Sequence, residues 1–420
     1  MQPLNNKKED IDRSNYLIQK IFIYEDSSKP NDIVKINSKN NFNLKNLYIN
    51  NSILESIKCN QKITLFNKTY TNKELGKYLY KFNKLIYFCY RRNIYPITTK
   101  TNNIITRDSG WGCMIRCGQM IMSRAIYKYL KSKNFSSEKA IYETIKYFLD
   151  IPYSEKGIPS IFSSILSKNQ RLNIKNFKIF PPFSIHIHCF LGLFYKKHAG
   201  EWFSDVNISQ NYRDINKIFD LFPELNIFSF ITDFNLNEIL DECFTLVDNN
   251  YKDNSKKIFT LNNKQYIMKK CGLIFISVRL GIQKITREYY FSLKKVFECK
   301  ECIGIIGGET NLAHYFIGYN DKGNLIYLDP HITREAVCNL NDDSITNDYL
   351  VKNIHEISID GMSTALSIGF LFRNDKEFED LIQFLDLYNK NSYPCFGYLK
   401  EKIELNIDTY ENLFNDEDDF

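Results

Sequence analysis

One apolar pattern stands out along the chain, and it begins at Cys113. From there to Tyr129, apolar side chains recur every three or four residues, and a second apolar stripe accompanies them. This spacing predicts a helix, and the two stripes predict that most of its circumference is buried. The preceding residues 108–112, with the sequence DSGWG, favour a turn that leads into the helix.

Later segments carry strand-like and helix-like patterns in turn. The predicted elements are a buried strand over 272–278, a helix over 288–297, two strands over 314–319 and 324–329 joined by a hairpin turn, and an amphipathic helix over 376–390. Residues 73–88 also carry apolar side chains at roughly helical spacing. An early buried helix followed by antiparallel strands predicts an α+β domain.

Both ends of the chain are polar and enclose a more apolar centre. Residues 1–47 are rich in Asn, Lys, Asp and Ser, and we predict that they form a flexible N-terminal arm. Residues 48–390 are predicted to form one folded domain. The remaining residues, 391–420, are predicted to form an acidic C-terminal tail.

Composition and charge narrow the classes of function. The 420 residues carry a net charge of only +6, and their basic side chains form no dense stripe, so we expect no nucleic-acid partner. The 11 cysteines are odd in number and irregularly spaced, which argues against a disulfide framework. The N-terminus does not resemble a signal peptide, and the longest apolar run, at 271–278, is too short to span a bilayer. We therefore expect a cytoplasmic protein with free thiols.

Cys113 is the first candidate for chemistry, because it stands at the predicted start of the buried helix. A helix N-terminus carries free N–H groups and a partial positive charge, and both stabilise a thiolate. Gly110 and Gly112 leave space beside the sulfur for a substrate backbone. A cysteine on an apolar helix is more often a small buried hydrophobic residue, so spacing alone leaves this assignment open.

A candidate base follows the second strand of the predicted hairpin. Asp329 and His331 are two residues apart, and Pro330 between them favours an extended backbone with both side chains on one side. An Asp that accepts a proton from one imidazole nitrogen leaves the other nitrogen free to act as a base. His314, which we place in a strand without a nearby carboxylate, is the second candidate for the base.

Seven segments of the chain form a set that matches a known family. They are RDSGWGCMIRCGQM (107–120), GGETNLAHYFIGYNDKGNLIYLDPH (307–331), FCYRRNI (88–94), SIH (184–186), GEWF (200–203), RLG (279–281) and SIGF (367–370). Together they resemble the autophagins, which are autophagy-related cysteine peptidases. The resemblance implies an α+β, papain-like cysteine peptidase fold with a small inserted subdomain, and it makes residues 48–390 the catalytic domain.

The resemblance also implies a specific reaction. Autophagins cleave the C-terminal extension from a ubiquitin-like autophagy modifier and later cut the amide that joins the modifier to phosphatidylethanolamine. Cys113 matches their nucleophile, His331 the base and acid, and Asp329 the carboxylate that orients it. The expected partners are the free precursor and the lipid-conjugated modifier, with transient contact to a membrane surface through the lipid. No cofactor is expected.

Three further roles follow from the resemblance alone. Tyr90, in FCYRRNI, matches a tyrosine that donates a hydrogen bond to the oxyanion. Trp202, in GEWF, resembles the tryptophan that covers the glycine tail of the substrate, and Arg279, in RLG, resembles a position that contacts the modifier. Each of these residues also has a plainer interpretation as a packed or solvated side chain.

Other suggestive patterns carry weaker predictions. Cys299 and Cys302 form a C-x-x-C pair without a second pair at zinc spacing, so we expect two thiols near the surface rather than a zinc site. His186 and His188 resemble a metal pattern, but SIH matches a helix start of the family, so no metal is expected.

The acidic tail contains a possible docking motif for the modifier. Tyr410 and Leu413 are an aromatic and an aliphatic residue separated by two positions and flanked by acids. Such a motif suits addition of a strand to the edge of another protein's sheet.

Two alternatives to the modifier peptidase stay open at this stage. A Cys-His-Asp site of the same fold is able to remove ubiquitin or to transfer acyl groups. A binding module that has kept the fold and lost activity is the third possibility, although the presence of Cys113, Asp329 and His331 argues against it.

Overall fold

A computed structural model describes residues 62–71, 74, 84–153, 180–247, 257–337, 340–351, 353–390 and 393–400. The predicted arm at 1–47 lies outside these residues, and so does the docking motif at Tyr410 and Leu413.

The strands of the described residues form one central mixed sheet and several smaller sheets. The strands are β1 (Ile63–Leu65), β2 (Lys68–Tyr70), β3 (Arg91–Thr98), β4 (Ile104–Arg107), β5 (Leu225–Ile231), β6 (Asp233–Asn235), β7 (Phe244–Val247), β8 (Phe259–Leu261), β9 (Lys264–Met268), β10 (Cys271–Arg279), β11 (Cys302–Glu309), β12 (Leu312–Asn320), β13 (Leu325–Leu328), β14 (Arg334–Glu335), β15 (His355–Ile357), β16 (Ala365–Phe372) and β17 (Gly397–Leu399). The order in the central sheet is β15-β13-β12-β11-β16-β10-β5, and β1 and β2 extend it beside β12. Its neighbours are antiparallel, except that β10 and β5 run parallel.

The described residues also form helices, several of which pack against the central sheet. They are α1 (Cys113–Ser132), α2 (Ser137–Ile145), α3 (Ile185–Gly192), α4 (Asp205–Phe219), α5 (Leu236–Cys243), α6 (Tyr289–Val296), α7 (Asp342–Ser344) and α8 (Asp375–Tyr388). The first helix, α1, packs on β11 and β12, whereas α4 packs on β5 and α8 on β16. Among the described residues, no helix combines the length and the apolar character needed to cross a membrane.

The sheet separates two apolar clusters. In β10, every residue except Arg279 is buried, as expected for an apolar strand that is covered on both faces. Alternate side chains of a strand point to opposite faces. Accordingly, Phe275 joins the cluster that contains α1, and Ile274 and Ile276 join the cluster that contains α8.

Most of the predicted elements are confirmed. The buried helix begins at Cys113, the strand predicted at 272–278 is β10, and the helix predicted at 288–297 is α6. The predicted hairpin is formed by β12 and β13, and the late amphipathic helix is α8. The structure is therefore an α+β fold, as the sequence predicts.

The helical spacing at 73–88 is misleading at its C-terminal end. Residues 75–83 lie outside the described part of the chain, and residues 85–90 form no helix. Instead, Ile86 forms a β-bridge with Leu350, and the N–H of Tyr87 donates to the carbonyl oxygen of Tyr349 at 2.8 Å. A distant backbone partner has decided the conformation of this short apolar run, since such runs are ambiguous from periodicity alone.

Smaller sheets surround the central one. Strands β14, β3 and β4 form one three-stranded sheet. Strands β7, β9 and β8, which come between α5 and β10 along the chain, form another. Strand β17 pairs in parallel with β6, and Phe396 just before β17 is buried. Because β17 lies beyond residue 390, we propose that the catalytic domain continues to Lys400 and that the acidic tail follows it.

Candidate active site

Cys113 is the first residue of α1, and its side chain is only 5% exposed. The helix entry is a tight turn in which Gly110 has φ +90, a conformation that favours glycine. Gly112 precedes the helix, and a Cβ at this position would lie 2.7 Å from Oδ2 of Asp108. The two glycines therefore allow the chain to turn sharply and to present the Cys113 thiol at the N-terminus of a buried helix.

His331 and Asp329 lie on the segment that follows β13. Nδ1 of His331 is hydrogen-bonded to Oδ1 of Asp329, and the backbone N–H of His331 donates to the same oxygen at 3.1 Å. The segment is held by two further bonds: the Tyr87 hydroxyl donates to the carbonyl of Asp329 at 2.6 Å, and the N–H of Tyr90 donates to that of Pro330 at 2.9 Å. The carboxylate thus sets both the tautomer and the orientation of the imidazole.

The thiol and the imidazole influence each other's ionisation. Burial alone would raise the pKa of Cys113, but interactions with His331, the Ala313 backbone and Tyr90 lower it below its ordinary value. Burial alone would lower the pKa of His331, but Asp329 and Cys113 raise it to about 9. These opposite shifts favour a thiolate beside an imidazolium, which is the reactive form of a cysteine nucleophile.

The charge of Asp329 agrees with this arrangement. Burial on its own would raise the pKa of Asp329, but its hydrogen bonds with His331 lower the pKa overall. The carboxylate is therefore ionised at neutral pH and stabilises the imidazolium. On the other side of the ring, Nε2 of His331 is buried without a hydrogen bond of regular geometry to the described residues, so it is the nitrogen left for the thiol.

Tyr90 stands next to the pair. Its ring meets that of His331 edge to face, with centroids 5.4 Å apart. Burial is the largest influence that raises the pKa of Tyr90, and the proximity of Cys113 raises it further. The Tyr90 hydroxyl also interacts with the Gly110 backbone. The hydroxyl therefore keeps its proton and is available as a hydrogen-bond donor beside the sulfur.

Trp202 lies against the turn that precedes Cys113. Its Nε1–H donates to the carbonyl oxygen of Gly110 at 2.7 Å, although 44% of the side chain is exposed. Trp202 is therefore a large aromatic side chain that is half exposed and tied to the turn before Cys113.

A model of the peptidase C54 catalytic domain matches residues 76–384 of the chain. The chain belongs to the peptidase C54 family. It is therefore an autophagy-related cysteine peptidase, and the resemblance to the autophagins, the papain-like α+β fold and the cysteine-type peptidase activity are confirmed.

Relatives of this C54 peptidase share about a quarter of its residues. The cysteine protease ATG4D of Xenopus laevis is 26% identical over 345 residues, which are 74% of this chain and 68% of the relative. The cysteine protease ATG4B of Gallus gallus is 26% identical over 330 residues, which are 74% and 76% of the two chains. The cysteine protease atg4 of Emericella nidulans is 27% identical over 283 residues, which are 66% of this chain and 59% of the relative.

In this C54 peptidase, Arg279 is the last residue of β10. It lies at the same end of the central strands as the candidate nucleophile, but several strands away from it. Pairing aligns it with Ala365 in β16, and β11 separates β16 from β12, which carries Ala313 near the thiol. Three strand spacings separate β10 from β12, or about 14 Å. The exposed guanidinium donates to the carbonyls of Gly281 and Ile282 at 3.3 and 3.4 Å.

His314 has a different environment from the one predicted. It is buried between two carboxylates: Nε2 lies 3.1 Å from Oε1 of Glu309, and Nδ1 lies 3.9 Å from Oδ1 of Asp329. The expectation that no carboxylate lies nearby is wrong, because strand pairing brings Glu309 and Asp329 to this residue. Burial, the largest influence, lowers the pKa of His314.

The structure also shows the environments of the C-x-x-C pair and of the histidine pair at 186 and 188. Cys299 and Cys302 are both buried, so the expectation of thiols near the surface is wrong; the pair lies where the chain enters the central strand β11. His186 and His188 lie on α3 and bind separate partners, since His186 Nε2 is 2.8 Å from the Tyr95 carbonyl and His188 Nδ1 is 3.1 Å from Nδ2 of Asn211.

Sequence reasoning missed the buried ionic network beneath the candidate nucleophile. Asp108 accepts hydrogen bonds from the Arg91 backbone and from Nε of Arg116, both at 2.6 Å, and Arg116 also pairs with Asp150 at 2.9 Å. The sequence contains one signal of this network, the charged Arg116 on a helix that is predicted to be buried over most of its circumference. Such a residue is rarely buried without paired acids, and its acidic partners here, Asp108 and Asp150, come from outside α1.

Proposed function

We propose that this peptidase hydrolyses the amide bond after the C-terminal glycine of a ubiquitin-like autophagy modifier. In this proposal it both matures the precursor of the modifier and releases the modifier from phosphatidylethanolamine. The observation that carries the proposal is the geometry of the site: Cys113 is the first residue of α1, and Nδ1 of His331 is hydrogen-bonded to Asp329. In agreement with it, the pKa of the thiol is lowered and that of the imidazole is raised to about 9. Membership of the C54 family adds the link to autophagy.

The proposed reaction uses the residues around the thiol in sequence. The Cys113 thiolate attacks the glycine carbonyl, and the Tyr90 hydroxyl and the N–H of Cys113 stabilise the oxyanion that forms. His331 then gives its Nε2 proton to the leaving amine, and the resulting thioester is hydrolysed by water that His331 deprotonates. Asp329 stays ionised throughout and stabilises the imidazolium.

One set of residues suffices for both proposed substrates. A peptide amine and the amine of a lipid headgroup leave by the same proton transfer from His331. The proposal therefore includes transient contact with a membrane surface, which the lipid of the substrate supplies. It also places the reaction in the cytoplasm, where free thiols persist.

Specificity for glycine is proposed to come from Trp202. Its indole is held over the Gly110 turn by a hydrogen bond of 2.7 Å and is 44% exposed. A tail without side chains fits a narrow slot beneath an aromatic cover, and larger residues do not. Arg279 lies on β10, three strand spacings or about 14 Å from β12, which carries Ala313 near the Cys113 thiol, and it is proposed to contact the body of the modifier.

Tyr410 and Leu413 are proposed to dock the modifier through strand addition. Deletion of residues 406–420 should then weaken binding of the modifier while cleavage of a short peptide with the same glycine is kept. Equal affinity of the full and the shortened chains for the modifier would rule out this docking motif.

Mass spectrometry of the cleavage products tests the proposed function. The full chain is incubated with an autophagy modifier that carries a C-terminal extension, and in parallel with a ubiquitin fusion. We expect a single cut directly after the modifier's glycine. A cut elsewhere, cleavage of the ubiquitin fusion alone, or transfer of the acyl group to an added amine would contradict it.

Two variants make the assignment of the nucleophile specific. Cys113→Ala should abolish cleavage and keep binding of the modifier, because only the sulfur is removed. Cys117→Ala is the matched control, since Cys117 lies one turn further along α1, is fully buried, and has its pKa raised well above the ordinary value by burial. Cleavage by Cys113→Ala at the natural rate would exclude Cys113 as the nucleophile.

A further inference from the structure

His314, Asp329 and His331 bring three potential metal ligands together. Each offers one ligand atom, and the three atoms all lie within 4.8 Å of one another. A tetrahedral zinc site with metal–ligand distances near 2.0–2.1 Å has ligand atoms about 3.4 Å apart. The 3.9 Å separation between His314 Nδ1 and Asp329 Oδ1 is close to that spacing, so small side-chain movements bring the set to the geometry of a metal site.

The protonation of His314 leaves one of its nitrogens unsatisfied. Its Nε2 lies 3.1 Å from a Glu309 oxygen, and a carboxylate only accepts hydrogen bonds, so Nε2 carries the proton of the neutral ring. Nδ1 therefore holds a lone pair. It is buried without a hydrogen-bond partner among the described residues, on a side chain that is only 2% exposed.

This lone pair lies beside a second acceptor. Oδ1 of Asp329 is 3.9 Å away from Nδ1 of His314 and is an acceptor as well. Two acceptors next to each other, one of them buried and unpaired, are an unfavourable arrangement, and a cation between them removes the penalty. The buried atom is thus an independent observation that points to a positively charged ligand.

We propose that His314, Asp329 and His331 bind a divalent transition metal ion of the zinc type, which reversibly inhibits the peptidase. Two imidazoles and one carboxylate suit zinc, whereas magnesium and calcium prefer oxygen ligands alone. Glu309 completes the arrangement, because a histidine that binds a metal usually donates its other N–H to a carboxylate. Water takes the fourth position.

Binding changes the protonation and the position of His331. The metal binds to Nδ1 of His331 in place of the proton that this nitrogen shared with Asp329. That proton is released to solvent, and no oxidation or reduction is involved. The contact between His331 and Asp329 must open to about 3.4 Å to admit the metal. The imidazole consequently turns away from its position beside the Cys113 thiol. This inhibitory effect rests on the proposed catalytic role of His331, whereas the binding of metal does not.

Direct binding measurements separate this site from an ordinary thiolate site. Zinc affinity is measured by competition with a chromophoric chelator, using the full chain with Cys113→Ala so that the reactive sulfur is absent. We expect this variant to keep one zinc site. Adding His314→Phe should weaken that site at least roughly tenfold, because a direct ligand is lost. Adding His355→Phe is the matched control and should leave the affinity unchanged. His355 and His314 both contact the ring of Tyr327, but His355 lies outside the cluster of potential ligands.

A spectrum of the unaltered chain gives a second readout that does not depend on any variant folding. Cobalt bound through imidazole and carboxylate should show tetrahedral visible bands without a thiolate charge-transfer band. Such a thiolate band, loss of the site in Cys113→Ala alone, or equal affinity with and without His314→Phe would each overturn the proposal. Zinc binding by a chain that cleaves no modifier even without metal would instead refute the proposed function and leave the metal site standing.

Discussion

Arg116 and Asp108 form an ion pair in which neither side chain is exposed, with Nε 2.6 Å from Oδ2. The other carboxylate oxygen of Asp108 accepts from the N–H of Arg91, which directly follows Tyr90. One buried carboxylate therefore joins the first turns of α1, which carry Cys113, to the start of β3, directly after the candidate oxyanion donor Tyr90. The relative position of the sulfur and the phenol depends on this pair.

The buried pair predicts a large effect on stability. Arg116→Met leaves the carboxylates of Asp108 and Asp150 buried without their cation, and it should lower the free energy of unfolding by about 3–5 kcal/mol. Denaturant titration followed by circular dichroism measures the change. Arg92→Met is the control, because Arg92 pairs with Glu335 at the exposed surface, and it should unfold near the natural midpoint. Equal midpoints for Arg116→Met and Arg92→Met would show that the buried pair carries no special weight.

The pKa shifts predict a specific pH window for cleavage. The proposed mechanism requires a Cys113 thiolate and a protonated His331. On the acid side, activity should fall only below the ordinary range of a thiol, because the pKa of Cys113 is lowered. On the alkaline side it should fall near pH 9, where His331 loses its proton. The pH profile of kcat/KM for an extended modifier measures both limbs, and full activity well above pH 10 would contradict the raised histidine pKa.

Asp329→Asn should change that profile in one direction. Burial by itself lowers the pKa of His331, and Asp329 provides the largest opposing influence. Without the carboxylate the alkaline limb should move to lower pH, and kcat should fall by up to about 10⁴, as for the corresponding change in a serine triad. Rates of Cys113 alkylation across pH report the same shift without substrate. If kcat of Asp329→Asn equals that of the unaltered chain, Asp329 has no role in catalysis.

Tyr90→Phe tests the oxyanion donor separately. The substitution removes only the hydroxyl and keeps the ring contact with His331, whose centroid lies 5.4 Å away. If the hydroxyl donates to the developing oxyanion, kcat should fall by about 10²–10³ while binding of the modifier is kept. Tyr87→Phe is the comparison, because the Tyr87 hydroxyl donates to the Asp329 carbonyl instead of the sulfur. A loss of less than about threefold in Tyr90→Phe is too small for an oxyanion donor.

Trp202 is predicted to control which residue is accepted before the cut. Trp202→Ala should reduce kcat/KM for a substrate that ends in glycine and should narrow the preference for glycine over alanine. Trp202→Phe keeps an aromatic cover but loses the hydrogen bond to Gly110, so its effect should be intermediate. Competition between glycine and alanine substrates in one reaction measures the preference directly. An unaltered preference in Trp202→Ala would show that the indole does not line the slot.

Local signals explain why part of the fold was predictable. The helix at Cys113 has a long apolar repeat and a glycine-containing entry turn, and both act within a few residues of each other. The strand at Cys271–Arg279 is a continuous apolar run, which reads clearly because both of its faces are covered. The run at residues 85–88 had no such signal, since its backbone pairs with the distant Leu350 and Tyr349.

The environments of buried polar groups could not be predicted in the same way. The carboxylates around His314 come from the end of β11 and from the segment after β13, and only the pairing of those strands with β12 brings them together. The partners of Arg116 likewise come from a turn and from the segment after α2. Sequence spacing contains no record of such contacts.

The amino-acid sequence by itself determined the α+β class, the start of the helix at Cys113 and the family to which the chain belongs. These depend on short-range periodicity and on runs of residues that can be read in order. Only the tertiary structure decided how far the Cys113 and His331 pKa values move, what holds the helix entry in place, and that His314 lies between two carboxylates. Those properties depend on burial and on charges a few ångströms apart, and only folding brings these groups together from different segments of the chain.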